Sequence, residues 1–273
     1  MNQDASPSGG LTALVLAGRR AGTDDPLASL GVAQKGLIKI AERPMLYYVL
    51  RTLQSVPSIS QILISAPDDA QNDIKAVADS VFDGLPPRWQ FVDPKPSPSQ
   101  SIAATLKNGA AQQEFIVTTS DHPLLNPMMI DQFLSAIDKD KINAAAACVT
   151  RDVYEEKFPG TRRTFIQLND FKFSGANLFW FRGAETLPLL QFWQRLEHNR
   201  KHPFKMAAEI GFKVGAKYLF GALTKKDVIE RIGQKTKTAI ELIPLSEAEA
   251  AIDVDKLEDV KLVEEIIRQH SRT

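Results

Sequence analysis

Cysteine is nearly absent from this sequence, which limits the kinds of site that it can build. Its 273 residues include one cysteine, Cys148, and four histidines. A single cysteine excludes an internal disulfide framework and a cysteine-rich zinc site, and the histidines lack the close spacing of metal ligands. Because Cys148 lies in the apolar stretch "AAAACV", we expect a small buried side chain rather than a nucleophile.

Excess charge and long apolar runs are lacking as well. Lysine and arginine together number 33, as do aspartate and glutamate, so no overall field attracts nucleic acid or an anionic membrane. No run approaches the roughly 20 apolar residues that span a bilayer. The leader "MNQDASPSGG" has neither the basic start nor the apolar stretch of a signal peptide, and residues 1–10 are expected to be disordered. We therefore expect a cytoplasmic protein that binds no nucleic acid and has no stable membrane insertion.

The first half of the sequence alternates strand-like and helix-like segments. Short apolar runs bounded by turn residues occur at 13–17, 61–66, 89–93, 114–121 and 143–150, and amphipathic helical spacing occurs at 44–56, 73–82, 97–111 and 127–137. This alternation predicts an α/β fold, with three α/β/α layers around a mostly parallel, Rossmann-like sheet. Such sheets bind ligands in the crevice beyond the carboxyl ends of their strands.

The pattern changes after residue 150. Residues 163–168 and 171–181 resemble a hairpin or an antiparallel excursion. Residues 185–237 have helical spacing, "TAIELIPL" and "AAIDVD" resemble short strands, and "KLEDVKLVEEIIRQH" resembles a closing amphipathic helix. Because no internal repeat or low-complexity linker interrupts the chain, we expect residues 11–273 to form a single domain, with 185–237 as a helical insertion or cap.

The loop after the first apolar run suits phosphate binding in composition but not in motif. The spacing G-x-G-x-x-G is absent, and one glycine at a strand end is commonplace, so this stretch alone favours a structural loop. Its backbone amides could nevertheless surround phosphates together with Arg19, Arg20 and Lys35.

Three aspartates are candidate metal ligands. Asp121 follows an apolar strand in "TTSDHPLL", where a carboxylate can coordinate Mg²⁺ at the crevice; a turn or helix cap is the alternative. Asp253 and Asp255 share one face if "AIDVD" is extended, so either could meet Asp121, or both could simply start the closing helix. We expect His122 to be a packing neighbour rather than a ligand, and Asp259 to have a structural role in that helix.

These segments together resemble a known family. "LAGRRAGTDDPLASLGVAQKGLIKIAERPMLYYVL" is similar to the strand, Leu-x-Gly-Gly loop, distant lysine and G-x-P-x-L turn of GT-A-fold nucleotidyltransferases, the nucleotide-diphospho-sugar transferase type. "SDHPLL" resembles their metal-binding x-D-x-P-L-L, "DVDKLEDV" their closing D-x-D-T-P-E-D-L, and "SPSQSIAATL" a stretch with a base-contacting serine in relatives that act on CTP. The resemblance is to the MobA-like NTP transferase group and covers about 11–150 and 250–267. Arg19 stands where the family motif has its second loop glycine, and residues 185–237 have no counterpart in the minimal family domain.

The resemblance implies a magnesium-dependent nucleotidyltransferase. Such an enzyme transfers a nucleoside monophosphate from an NTP to a phosphorylated acceptor and releases pyrophosphate. It implies Mg²⁺ on Asp121 and Asp255, with Asp253 as the alternative second ligand, and Lys35 at the leaving pyrophosphate. The nucleotide-binding residues implied are Leu16, Ala17, Gly18, Arg19, Arg20, Lys35, Ser99 and Ser101.

The acceptor side is expected around the motif "SGAN", which matches the place where relatives hold the acceptor. Gly175 would permit close approach, although a β-bulge is the alternative, and Asn177 would be a hydrogen-bonding partner. Arg162, Arg163 and Lys172 are candidates to bind the acceptor phosphate, with an ordinary solvated face as the alternative for each. A sugar phosphate, a polyol phosphate and molybdopterin are the candidate acceptors, and the sequence does not select the base or the oligomeric state.

Two other functions compete with this one. A GT-A glycosyltransferase would use a nucleotide-sugar, but its D-x-D motif usually lies midway along the chain and here "DVD" lies near the end. For a catalytically silent nucleotide-binding or regulatory module, Arg19 is the best argument. For the insertion, a surface that meets a membrane competes with a cap over the acceptor side; the glycines at 211, 215 and 221 and the neutral overall charge favour the cap.

Overall fold

The computed structural model describes residues 10–18, 30–32, 34–85, 88–110, 113–161, 163–199 and 209–270. Three candidate site residues, Arg19, Arg20 and Arg162, lie outside these ranges, as do residues 1–9 of the leader and 200–208 of the insertion.

The described elements follow the alternation that the sequence predicts. The strands are β1 Leu11–Leu16, β2 Lys39–Ile40, β3 Arg43–Pro44, β4 Ile59–Ser65, β5 Trp89–Val92, β6 Glu114–Thr119, β7 Ala144–Thr150, β8 Ile166–Gln167, β9 Lys172–Arg182 and β10 Ile240–Pro244. The helices are α1 Met45–Ser55, α2 Asp68–Phe82, α3 Pro98–Asn108, α4 Pro127–Ser135, α5 Arg151–Lys157, α6 Leu187–Asn199, α7 Phe212–Leu219, α8 Lys225–Thr236 and α9 Leu257–His270, with 3₁₀ turns at Lys35–Leu37, Ala184–Thr186 and Ala248–Ala251.

One mixed sheet organises the molecule. Its strand order is β10-β7-β9-β6-β1-β4-β5, with β8 paired to β9. β9 runs antiparallel to both of its neighbours in this order, β6 and β7, whereas β1 is parallel to β4 and β6, and β10 is parallel to β7. The predicted antiparallel excursion is therefore confirmed, and it lies inside the sheet rather than at an edge.

Apolar side chains cover both faces of this sheet. Along β1, Val15 joins a core formed with α1, α2, α4 and α9, while Leu14 joins a second core formed with α3 and α6. This alternation follows from the two-residue period of a strand. It gives three layers, so the predicted α/β class with helices on both faces is confirmed.

The sheet has a topological switch point between β1 and β6. The chain passes from β1 to β4 and β5 on one side, then returns to β6 on the other. The carboxyl ends of β1 and β6 lie together, since the Ser120 amide donates to the Leu16 carbonyl at 3.0 Å. A switch point in an open sheet leaves a crevice where ligands bind. Asp121 is the residue after Ser120 and therefore lies at this crevice.

Two local predictions were wrong or incomplete. "AAIDVD" does not form a strand: Ala248–Ala251 is a 3₁₀ turn, because Ala248, Ala250 and Ala251 are buried against the core and residues 252–255 lead irregularly into α9. α5 was not predicted; it begins immediately after β7, where Thr150 caps it through a hydrogen bond from the Val153 amide.

The other expectations for the second half hold where the chain is described. Cys148 is buried, and burial raises the pKa of its thiol to about 12, so it is a core residue and not a nucleophile. The described part of the insertion is helical in α6, α7 and α8. Its role as a cap and the division into one domain stay predictions.

Candidate active site

Three carboxylates converge at the switch point. Asp121 follows β6, and Asp253 and Asp255 lie in the short connection between the 3₁₀ turn Ala248–Ala251 and α9. An oxygen from each lies within 4.8 Å of an oxygen from the others. The connection is attached directly to the end of β6, because the Val254 amide donates to the Asp121 carbonyl at 3.0 Å. The convergence predicted for these residues is therefore present, although the strand expected to produce it is not.

Asp259 holds the connection in place from α9. Its Oδ2 accepts hydrogen bonds from the Asp255 and Lys256 amides, both at 2.9 Å. These amides stand at the start of the helix, where backbone donors lack helical partners and a carboxylate is favoured. The contacts agree with the structural role expected for Asp259.

Lys35 is an ion-pair bridge between two of the carboxylates. Its Nζ lies 2.5 Å from Asp121 Oδ2 and 2.6 Å from Asp255 Oδ1. Burial opposes the charge of the ammonium, but Asp121 and Asp255 outweigh that effect and raise the pKa of Lys35 above its usual 10.5. Its contribution to stability is therefore complete below pH 10.5 and is lost only as the pH rises through the higher folded-state pKa. At neutral pH Lys35 is a fixed cation and not a general base.

The turn that carries Lys35 is packed tightly against β6, and sequence reasoning missed the residues responsible. Gly36 is buried, and a Cβ atom there would lie 2.9 Å from both Cβ and Oγ of Ser120. Gln34 is also buried, and its Nε2 donates to the Ala17 carbonyl. Only a glycine beside Lys35 lets the turn approach this closely, and the glycine in "QKG" is the sequence signal for this packing.

Asp253 belongs to a separate set of contacts. Its Oδ1 accepts a hydrogen bond from Arg163 Nη1 at 2.9 Å, and its Oδ2 accepts one from Asn177 Nδ2 at 3.2 Å. Arg163 Nε also donates to Ser174 Oγ at 3.0 Å. Two candidate acceptor-binding residues, Arg163 and Asn177, thus meet beside the candidate metal ligands, and the charge of Asp253 is balanced by an arginine.

Asn177 reaches Asp253 because β9 is irregular at this point. The pairing of β9 with β7 shifts register between Ala146 and Cys148, and Asn177 has a φ of 46°, in the left-handed region. Asparagine adopts this conformation more readily than most residues. The irregularity lies between the pairs Ala146–Phe179 and Cys148–Gly175, so the bulge expected as the alternative for Gly175 begins at this residue, and the residue with left-handed backbone is Asn177. Gly175 is exposed, and a Cβ there would meet nothing within 4 Å.

The other candidate residues that the structure describes lie around this centre without joining it. Leu16 ends β1, Ala17 and Gly18 follow it, and Lys172 is exposed at the start of β9. Ser99 and Ser101 are buried on α3; Ser99 Oγ donates to Glu197 Oε2 at 2.5 Å, and Ser101 Oγ accepts from the Lys95 amide at 2.8 Å. Both serine hydroxyls are therefore bonded to groups outside the carboxylate cluster.

Several buried polar atoms at this end of the sheet have no hydrogen-bond partner among the residues that the structure describes. They are Asp121 Oδ1, Thr118 Oγ1, Thr119 Oγ1 and Gln34 Oε1. Buried polar atoms are normally paired, so such a group calls for an explanation. Among the described residues, Lys35 and Arg163 bind the three carboxylates. A buried carboxylate oxygen without a described partner, beside two further carboxylates, suits a hard divalent cation.

His122 is neutral in this environment. It is buried, and burial lowers its pKa to about 4 even though Asp121 and Asp253 act in the opposite direction. A neutral imidazole inside the fold agrees with the expected packing role.

Comparison with known families identifies the chain. The MobA-like NTP transferase domain matches residues 13–209, which include Lys35, Asp121, Arg163 and Asn177. The chain belongs to this family. Membership makes it a nucleotidyltransferase, as the sequence predicted. Asp253 and Asp255 lie beyond the matched residues. Comparison with curated proteins finds no match.

Solved structures of similar fold extend over nearly the whole chain. A hypothetical transferase from Thermus thermophilus is 23% identical with a TM-score of 0.74, covering 92% of this chain and 99% of its own. A 4-diphosphocytidyl-2C-methyl-D-erythritol synthase from Anaerococcus prevotii is 12% identical with a TM-score of 0.58, covering 95% and 98%. A CMP:2-keto-3-deoxy-manno-octonic acid synthetase complexed with CTP is 13% identical with a TM-score of 0.58, covering 96% and 99%. These likenesses show a shared fold.

Gly36→Ala should destabilise the protein and disturb Lys35. The added methyl group overlaps Ser120, and overpacking of this kind costs about 1–3 kcal/mol. Gly175→Ala is the matched control, since its Cβ has open space. Thermal or urea unfolding of both variants measures the effect. Equal stability of the two variants would show that the turn does not pack against β6 as described.

Stability should fall with acid through His122. Because its folded pKa is about 4 and its ordinary value is 6.5, the unfolded chain binds a proton between these values while the folded chain does not. The contribution is present above pH 6.5 and is lost as the pH falls to about 4, a change of roughly 3 kcal/mol in the free energy of unfolding.

Denaturant unfolding at a series of pH values tests this effect with two variants. His122→Leu should flatten the dependence between pH 6.5 and 4, whereas His198→Gln, at an exposed position on α6, should leave it unchanged. The same slope in His122→Leu as in the wild type would contradict the assignment.

Proposed function

We propose that the chain is a magnesium-dependent nucleotidyltransferase that moves a nucleoside monophosphate from an NTP to a phosphorylated acceptor. The observation that carries the proposal is the meeting of Asp121 and Asp255 around Lys35 at the switch point. Family membership supplies the reaction class. The carboxylates and the lysine supply a site of suitable charge and position for a metal-bound triphosphate.

The metal ligands in this proposal are Asp121 and Asp255. Asp121 has a buried carboxylate oxygen without a partner among the described residues, whereas both oxygens of Asp253 accept hydrogen bonds from Arg163 and Asn177. Because Asp255 shares Lys35 with Asp121 and Asp253 is bound by two candidate acceptor-side residues, we choose Asp255 over Asp253 as the second ligand. Bound Mg²⁺ would supply charge neutralisation and alignment for in-line displacement at the α-phosphorus.

Lys35 is proposed to act as a fixed cation at the triphosphate. The acceptor oxygen forms a bond to the α-phosphorus, and the bond from that phosphorus to the bridging oxygen breaks, so pyrophosphate leaves with the electron pair. A protonated Lys35 stabilises the charge that grows on this leaving group. No side chain needs to become a covalent nucleophile, because positioning and charge neutralisation supply the rate enhancement.

The nucleotide is proposed to enter at the carboxyl end of β1. Leu16, Ala17 and Gly18 would contact it there, together with Arg19 and Arg20, the next two residues in the sequence. Ser99 and Ser101 are proposed to contribute through the position of α3, since their hydroxyls bind Glu197 and the Lys95 amide. The structural neighbours described as a diphosphocytidyl synthase and as a synthetase complexed with CTP make CTP the first nucleotide to test.

The acceptor is proposed to bind beside Asp253. Exposed Gly175 leaves room at the bulge of β9, Asn177 offers an amide, and Arg163 lies between Ser174 and Asp253. Lys172 and Arg162 are further candidates for its phosphate. A sugar phosphate or polyol phosphate is our preferred acceptor class, with a molybdopterin-like phosphate as the third candidate.

Pyrophosphate release tests the proposal. The four NTPs are each incubated with Mg²⁺ and a panel of sugar and polyol phosphates, after a thermal-shift screen of the NTPs; a ligand at a hundred times its Kd adds about 2.7 kcal/mol of stability. Release that depends on both an NTP and an acceptor supports the function. Tight NTP binding without release across the panel would instead support a silent nucleotide-binding module.

Asp121→Asn and Asp255→Asn should each abolish turnover, because the amide keeps the shape of the side chain but removes a metal-binding charge. Asp253→Asn should retain Mg²⁺ dependence and raise the KM of the acceptor. Initial rates over a Mg²⁺ titration measure all three. Wild-type kinetics in Asp121→Asn at every Mg²⁺ concentration would show that Asp121 is not a metal ligand. Loss of turnover in Asp253→Asn alone would show that Asp253, and not Asp255, is the second ligand.

Lys35→Ala should mainly lower kcat, since the charge on pyrophosphate is greatest in the transition state. Lys39→Ala is the matched control, because Lys39 is exposed a few residues away on β2 and should keep wild-type rates. Steady-state kinetics with saturating Mg²⁺ give both parameters. An unchanged kcat with a raised KM would point to uniform phosphate binding by Lys35.

A further inference from the structure

Helix α7 exposes large apolar side chains. Phe212, Leu219 and Phe220 are 87%, 84% and 86% exposed, and Tyr218 is 56% exposed. Single exposed apolar residues are ordinary, but a group of this size on one short helix indicates a contact surface. We call Phe212, Leu219 and Phe220 the α7 patch.

The patch faces away from the body of the protein. Phe212 and Leu219 are seven residues apart and so lie on the same side of the helix, with Phe220 beside them at its end. Val214 lies on the other side and packs against a small core that contains Cys148, Leu168, Phe173 and Leu223. The helix therefore has an inner apolar side that holds it in place and an outer apolar side that faces solvent.

Specific contacts fix α7 in this orientation. Lys217 Nζ pairs with Asp227 Oδ1 of α8 at 2.6 Å, and Arg231 Nε of α8 donates to the Ile210 carbonyl at 2.7 Å. Gly211 has a φ of 126°, and a Cβ there would lie 2.6 Å from the Arg231 guanidinium. These contacts with α8 hold α7 in place, with its outer apolar side exposed.

The surroundings of the patch are basic. Residues 209–237 contain seven lysines and arginines and three acidic residues, in a chain whose charges balance overall. Lys213 is exposed along one edge of the patch. Lys217 follows the same edge and is paired with Asp227, and Lys226 on α8, 82% exposed, is paired with Glu230 at 3.7 Å. The neutral net charge therefore conceals a local excess of positive charge beside the apolar side chains.

We propose that the α7 patch and its lysines dock the protein peripherally onto an anionic lipid surface. Aromatic and leucine side chains with lysines along the edge are the combination that binds at the headgroup boundary. A second copy of the chain is a poorer occupant, because a two-fold interface would set this basic surface against itself. Among the described residues, no helix is long and apolar enough to pass through a bilayer, so the contact is with the surface.

This proposal does not depend on the proposed chemistry and can be tested on its own. The full-length protein is floated with vesicles of equal parts phosphatidylglycerol and phosphatidylcholine, and with vesicles of phosphatidylcholine alone, at low and high salt. The variants are Leu219→Glu with Phe220→Glu, and Lys213→Glu. Met128→Glu is the matched control, since Met128 is a 70% exposed apolar residue on α4 outside the patch. Thermal melting and size-exclusion chromatography with light scattering accompany each sample.

We expect binding to the anionic vesicles that falls at high salt, and weaker binding to neutral ones. The double variant should lose at least about tenfold in partition, and Lys213→Glu about tenfold, because it reverses a charge at the surface. Met128→Glu should bind like the wild type. No binding of the wild type to anionic vesicles, or equal binding of the double variant, overturns the proposal. A dimer that Leu219→Glu with Phe220→Glu dissociates, without vesicle binding, would assign the patch to self-association.

Discussion

The ion pairs of Lys35 are the interaction on which the site depends. Three carboxylates within 4.8 Å of one another repel one another, and cations placed among them offset that repulsion. Lys35 binds Asp121 and Asp255, and Arg163 binds Asp253. The turn 34–37, the end of β6 and the connection before α9 must therefore meet for the carboxylates to lie this close, and this requirement joins segments from the first and last parts of the described chain at one point of the sheet.

The sequence predicted the sheet and its helices well because their signals are local. Two-residue and helical periodicities are properties of short segments, and the position of Asp121 after an apolar strand followed from them. Asp253 and Asp255 were identified although their strand was not formed, since the Val254–Asp121 backbone bond brings them to the site in place of sheet pairing.

Other parts of the site depend on contacts between distant segments. The packing of Gly36 on Ser120 and the bond from Ser99 to Glu197 join residues far apart in the chain. The strand and helix periodicities of short segments carry no information about such contacts. The left-handed Asn177 likewise depends on how β9 fits between β6 and β7. Prediction from sequence therefore reached the candidate ligands and their approximate place, and it missed the packing that orients them.

The central position of β9 has a consequence for synthesis on the ribosome. β6 and β7 do not pair directly, since β9 lies between them. A nascent chain that has emerged only to β7 holds β5, β4, β1 and β6 with one side of β6 unpaired, and an open strand edge of this kind invites association with other chains. The fold removes that hazard only when β9 has emerged, about fifty residues after β6.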